Sequence, residues 1–272
     1  MEVRPPAVAG RFYPGTARDI ASALAELAPH APAHRAIAAM CPHAGWVYSG
    51  ATAMAVLGRI AVPEVVVVLC PNHTGKGARV SIWPDGAWQT PIGAIPIDAA
   101  LAARIATEAH AIRGAKLDRA AHREEHAIEV LVPMLAARQP ALRLVPIVVG
   151  HLDADECIAL GHALARAVAG EHADALVIAS SDMSHYLPEP EARRLDALAL
   201  EALETGDPRE LLAVVDGHDI SMCGARPAAA MLAYAHARGA GPPELVAYAT
   251  SGDAFGDRAR VVGYAGAVVP AA

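Results

Sequence analysis

Val65-Val66-Val67-Val68-Leu69-Cys70-Pro71-Asn72-His73-Thr74-Gly75 is the stretch that decides the fold. Six apolar residues, four of them valine, run without a polar interruption, so the segment predicts a strand buried on both faces rather than one with a wet side. Pro71 stops the run and Gly75 allows a sharp turn, which leaves His73 at the mouth of the turn. Four further runs read the same way: Ala36–Cys41, Leu142–Val149, Ala175–Ala179 and Val261–Val269. Helical patterns separate them at Asp19–Leu27, Ala51–Ile60, Ala99–Ala109, Glu124–Ala137, Ala154–Val168, Glu189–Glu204, Arg209–Val215 and Arg226–Arg238. Alternating strand and helix implies an α/β layered domain with a mostly parallel central sheet flanked by helices. The Trp83–Pro96 stretch reads as a hairpin at one sheet edge, and the Pro/Gly clusters at Pro29 to Pro32 and Gly239 to Pro243 as turns.

Composition agrees with a large buried core. The 272 residues are 54% hydrophobic and 19% charged, with mean hydropathy +0.29, which suits one domain over residues 1–272 better than two small ones. Alanine is abundant, but two lysines against twenty arginines point to GC-rich coding, so alanine content is discounted as helix evidence. A net charge of −7 argues against a nucleic-acid or anionic-membrane partner. No apolar run approaches the roughly 18 residues of a membrane span, and the opening Met1-Glu2-Val3-Arg4-Pro5-Pro6 lacks the layout of a secretory signal. Four scattered cysteines form no Cys-x-x-Cys pair, so a reducing cytoplasm is the expected location.

Thirteen histidines outnumber the aromatics, and their positions carry the functional signal. Three predicted strands end in Pro42-His43-Ala44-Gly45, in Pro71-Asn72-His73, and in Ser180-Ser181-Asp182-Met183-Ser184-His185. Ligands of open α/β sheets bind beyond the carboxyl ends of strands, so three such histidines suit a shared metal or catalytic site. Each alone is ordinarily a solvated turn residue. Glu124-Glu125-His126-Ala127-Ile128-Glu129 reads as a helix start in which His126 and Glu129 are i, i+3 neighbours. One face of it presents an imidazole and carboxylates; the simpler reading is a solvated acidic first turn. Cys223, in Ser221-Met222-Cys223-Gly224, reads either as a small buried thiol or as a thiolate ligand beside the histidines, with Arg226 favouring the ionised form. The chain has no Gly-x-Gly-x-x-Gly after a strand, no Walker loop, no Gly-x-Ser-x-Gly elbow and no His-Glu-x-x-His.

Arg4-Pro5-Pro6-Ala7-Val8-Ala9-Gly10-Arg11-Phe12-Tyr13-Pro14 resembles the opening of the Memo family, also called AmmeMemoRadiSam system protein B. Pro42-His43-Ala44-Gly45-Trp46-Val47-Tyr48-Ser49-Gly50, Pro71-Asn72-His73, Glu125-His126-Ala127-Ile128-Glu129, Ser180–His185, Cys223-Gly224 and Gly263-Tyr264-Ala265 continue the resemblance in order. The family is similar to LigB-type class III extradiol dioxygenases. The resemblance implies a LigB-like fold around a non-haem metal held by His43, His73 and Cys223, with Asp182, His185 and His126 as catalytic residues in the same pocket. It implies Fe(II) first, with copper or zinc as alternatives, because a thiolate donor suits all three. It also implies either a metal-dependent oxidoreductase acting on a small phenolic molecule, or a non-catalytic metal-binding or peptide-binding partner of radical-SAM and AMMECR-type proteins. Relatives usually carry a small residue at the position of Cys41 and often glycine at that of Cys70. Cys41, two residues before His43 on an extended strand, points to the same side; a buried strand cysteine is the expected role.

Overall fold

A computed structural model describes residues 2–27 and 32–271; the turn expected at Pro29 to Pro32 falls, except for Pro32, outside the described residues. In chain order the elements are β1 (Val3–Arg4), α1 (Ala17–Glu26), β2 (Ala36–Cys41), α2 (Trp46–Gly58), β3 (Val65–Pro71), β4 (Val80–Ile82), β5 (Ala87–Thr90) and β6 (Gly93–Pro96). They continue with α3 (Ala99–Glu108), β7 (Ala115–Leu117), α4 (Val132–Arg138), β8 (Arg143–Val149), α5 (Ala154–Val168), β9 (Leu176–Ser180), β10 (His185–Leu187) and α6 (Glu189–Glu204). The chain closes with α7 (Pro208–Gly217), α8 (Ala225–Ala237), β11 (Glu244–Thr250), α9 (Ser251–Phe255) and β12 (Val261–Pro270).

The main sheet runs β10-β12-β2-β9-β3-β8-β4-β7, with β11 also paired to β12. Its centre, β2-β9-β3-β8, is parallel throughout. Its margins are not: β12 is antiparallel to β2, and β4 is antiparallel to β8. Each central strand feeds alternate side chains into opposite layers, as the two-residue period requires. Val65, Val67 and Leu69 enter one core with Met40 and the residues of α5 and α8, while Val66, Val68 and Cys70 enter the other with Ala39, Cys41, Trp46 and Leu57. Cys41 and Cys70 are thus buried strand residues, and burial alone pushes the Cys41 thiol well above its usual range.

Three expectations are corrected. The Trp83–Pro96 hairpin exists as β5 and β6, but it joins β1 in a separate three-stranded sheet instead of an edge of the main one. Its apolar side is claimed locally: Trp88 packs edge-on against Trp83, with the Arg4 guanidinium 4.2 Å from the Trp88 ring centre. The helix expected at Ala51–Ile60 starts five residues earlier, at Trp46, because the Trp46 N–H bonds to Phe12 O and fixes the first turn. The helix expected at Glu124–Ala137 is confined to Val132–Arg138. Pro133 suits its first turn, and in the turns before it the His126 and Ala127 N–H groups go to the buried Glu125 carboxylate instead of a helical ladder.

Candidate metal centre

The parallel order fixes where the site must lie. β2, β9 and β3 are neighbours with matched ends, Cys41 pairing with Ser180 and Leu69 with Ala179. Ser181 N–H then bonds to Cys41 O at 2.9 Å, holding the two exits together. His43, Asp182 and His73 therefore leave the sheet side by side at its carboxyl edge.

Two of the histidines have a fixed tautomer. The Ser180 hydroxyl donates to Ala127 O at 2.9 Å, so its oxygen accepts from His43 Nδ1–H at 2.7 Å. His73 Nδ1–H donates to Glu125 Oε1 at 2.8 Å, and the same carboxylate accepts the His73 backbone N–H. In the neutral form of each ring the Nε2 lone pair is therefore free and available to a cation; this is how metal-binding imidazoles are oriented. His126 completes the cluster from the irregular segment before α4. Ligand atoms of His43, His73 and His126 all lie within 4.8 Å of one another, and the His73 and His126 rings stack at 4.8 Å.

Glu125 organises this convergence. Its side chain is fully buried and accepts from His73 twice and from the His126 and Ala127 backbone N–H groups. Burial opposes its ionisation, but the His73 bonds and charge outweigh burial and hold it down to about 2. Burial also opposes a proton on His73, yet Glu125 outweighs it there and raises the His73 value above 6.5. His43 moves the opposite way, far below its ordinary range, through burial and the nearby His73 and His126. Burial likewise lowers His126. Residue order makes Glu125 one acid of an expected helix start; its role as the buried acceptor, and those of Ser180 and Ser221, leave no pattern there. Glu129 does not reach the cluster. It pairs with Arg4 at 2.7 Å and accepts the Ala7 and Val8 N–H groups and the Tyr13 hydroxyl. Through those bonds it seats the N-terminal segment, which brings Phe12 edge-on to His126 at 4.9 Å.

Cys223 stands at the edge of the imidazole group without joining it. Its Sγ lies 3.4 Å from His43 Nε2 and accepts the Asp182 N–H at 3.3 Å. A Cβ on Gly224 would fall 2.4 Å from Ser180 O, so only glycine lets this turn press against the end of β9. Burial and the Asp182 charge keep the thiol protonated, leaving no support for ionisation by Arg226, which pairs with Asp216 at 2.9 Å. Asp182 Oδ1 accepts the His43 N–H at 2.8 Å, and burial raises its carboxyl above the usual range. His185 gives Nδ1–H to Ser221 O at 2.9 Å, which leaves its Nε2 as an acceptor. All of His43, His73, His126, Asp182 and His185 line one cavity of about 600 Å³, walled further by Phe12, Tyr48 and Tyr264.

A family model described as Memo-like protein matches residues 4–268. A MEMO1 family protein of Aquifex aeolicus is 39% identical over 98% of this chain and 99% of its own length. Counterparts from Aeropyrum pernix and Archaeoglobus fulgidus are each 38% identical, covering 97% and 98% of this chain and 98% and 99% of theirs. The crystal structure of an uncharacterized protein from Escherichia coli K12 superposes with a TM-score of 0.59 at 16% identity, covering 86% of this chain and all of the other; that likeness bears on fold alone. Among the described residues no helix is long and apolar enough to cross a membrane.

Proposed function

This chain belongs to the Memo family, and on that premise we propose that it is a non-haem metal-binding protein with oxidoreductase chemistry resembling that of class III extradiol dioxygenases. His43 and His73 are the principal ligands, His126 is the third donor, and Cys223 is a fourth at the margin. One observation carries the reading: the Ser180 and Glu125 bonds aim two imidazole lone pairs, beside a third imidazole, at one volume of the cavity. Nitrogen donors with a sulfur nearby fit Fe(II), and also copper or zinc. Iron is the first assignment because of the family resemblance.

When bound, such an ion would act as a Lewis acid toward an oxygen of the ligand. The protein's own groups have separable tasks. Glu125 and Ser180 hold the ring planes of His73 and His43. Asp182 fixes the loop that carries His43 through the backbone N–H. His185 Nε2 takes the proton of a phenolic hydroxyl brought into the cavity, since its other nitrogen already serves as donor. Phe12, Tyr48 and Tyr264 give the cavity the aromatic walls that a small phenolic molecule requires.

A second reading makes the loaded centre a binding device, working with radical-SAM and AMMECR-type proteins without turnover. It is favoured by Cys223, because a sulfur so close to the centre is itself open to oxidation by activated oxygen. Anaerobic reconstitution with Fe(II), metal analysis of wild type and His43→Ala, and oxygen uptake with a panel of catechols test the proposal. Stoichiometric iron lost in His43→Ala, with catechol-dependent uptake in wild type, is the expected result. Loaded protein without uptake selects the second reading, and wild type that takes up no metal ends both.

A further inference from the structure

One cationic side chain stands at the rim of the cavity, apart from the imidazole cluster. Among the described residues, Arg260 is the only arginine or lysine lining the 600 Å³ cavity. Its neighbour Arg258 is spent on Glu189 and Asp253, but Arg260 is exposed and forms no ion pair among the described residues. Its guanidinium stands exposed at a cavity that also holds the Asp182 carboxylate, and with no ion-pair partner among the described residues it is available to an anion entering there.

The backbone stations this side chain. β10 and β12 pair as His185 with Val262 and Leu187 with Val261, which leaves Tyr186 as an extra residue on its strand. Such a bulge re-aims a side chain. Tyr186 takes φ of 60°, a left-handed value that bulky residues rarely adopt, and its ring meets the Arg260 guanidinium 5.6 Å from the centroid. Arg260 directly precedes Val261, so the bulge and its partner strand present the stacked pair together at the rim. A guanidinium with one face on a ring keeps its edge free, and that edge matches a planar carboxylate in two parallel hydrogen bonds.

We propose that Arg260 is the anion-binding residue of this cavity and that the ligand is a small organic monocarboxylate, its acid group at the rim and its other end toward His43, His73 and His126. One guanidinium balances one negative charge, and Asp182 within the same walls disfavours a more highly charged guest. The proposal rests on the reading of the imidazole cluster as the ligand-facing centre of the cavity.

Calorimetric titration of full-length wild type, Arg260→Gln and Arg260→Lys with 4-hydroxybenzoate and with the uncharged 4-hydroxybenzyl alcohol tests it. Iron content is measured on the same samples. The expected result is a preference of roughly tenfold or more for the acid in wild type. That preference disappears in Arg260→Gln, is partly kept in Arg260→Lys, and iron content is equal in all three. Equal binding of acid and alcohol by wild type, a preference that survives Arg260→Gln, or no measurable binding of the acid overturns the proposal. Wild type that takes up no iron on anaerobic reconstitution yet keeps the Arg260-dependent preference overturns the metal reading instead.

Discussion

The exits of β2 and β3 and the irregular segment before α4 both deliver imidazoles to one point, by different physical means. His43 and His73 arrive because parallel neighbouring strands must end on the same edge, and a proline in each stops the strand there. His126 arrives because a buried carboxylate two turns from any regular element collects N–H groups from both sides of the gap. The first kind of placement is built into topology and survives local damage. The second depends on a single side chain, whose loss frees His126 and the ring of His73, while β3 still delivers the His73 backbone to the edge.

The largest expected effect separates fold from site within the irregular segment. Glu129 and Arg4 are both about 1% exposed, so Glu129→Ala strands a buried cation and is expected to cost about 3–5 kcal/mol of stability, read by urea unfolding. Metal stoichiometry, measured well below the unfolding temperature, stays close to that of wild type. Glu125→Gln is expected to do the reverse. It removes the charge that orients His73 and lowers metal affinity about 10–100-fold, with a smaller change in stability. Competition against a chromophoric chelator reads this directly. If both substitutions affect stability and affinity alike, the division of labour between the two glutamates is wrong.

A subtler distinction appears in the pH dependence of the metal-free protein. Glu125 has a folded value of about 2 against 4.5 unperturbed, so its contribution is present above 4.5 and fades as pH falls toward 2. His73 is raised above 6.5, so its contribution is complete below 6.5 and is lost as pH rises through the folded value. The pair therefore adds most to stability between about pH 4.5 and 6.5, and Glu125→Gln should flatten the curve of unfolding free energy at both margins. Metal requires the neutral imidazole, so affinity for the ion rises with pH over the range in which His73 loses its proton.

How much of this was legible in the residue order follows the same division. The valine run at 65–68 and the alanine-rich run at 36–39 announce strands buried on both faces, and the histidines after Pro42 and Pro71 announce the edge where a ligand belongs. β12 reads as another buried strand, but its antiparallel sense depends on partners that composition does not reveal. The stretch 124–131 misleads, because Ile128, Val130 and Leu131, with Leu135 beyond them, have helical spacing, while Glu125 takes the His126 and Ala127 N–H groups that a helix would need and Glu129 is drawn to Arg4, Ala7, Val8 and Tyr13. The family resemblance implies His126 as a catalytic residue of the pocket and Cys223 as a ligand; the ligand atoms of His43, His73 and His126 lie within 4.8 Å of one another, and Cys223 Sγ lies 3.4 Å from His43 Nε2. Short-range spacing carries no record of a bond between residues 73 and 125.

The most direct test is a crystal of protein reconstituted with Fe(II), with anomalous differences recorded on both sides of the iron absorption edge. The account predicts a peak about 2.0–2.3 Å from the Nε2 atoms of both His43 and His73, ordinary coordination distances for imidazole, with His126 or Cys223 completing the contact. A peak elsewhere, or His43 and His73 turned away with Nε2 bonded to protein atoms, would contradict it.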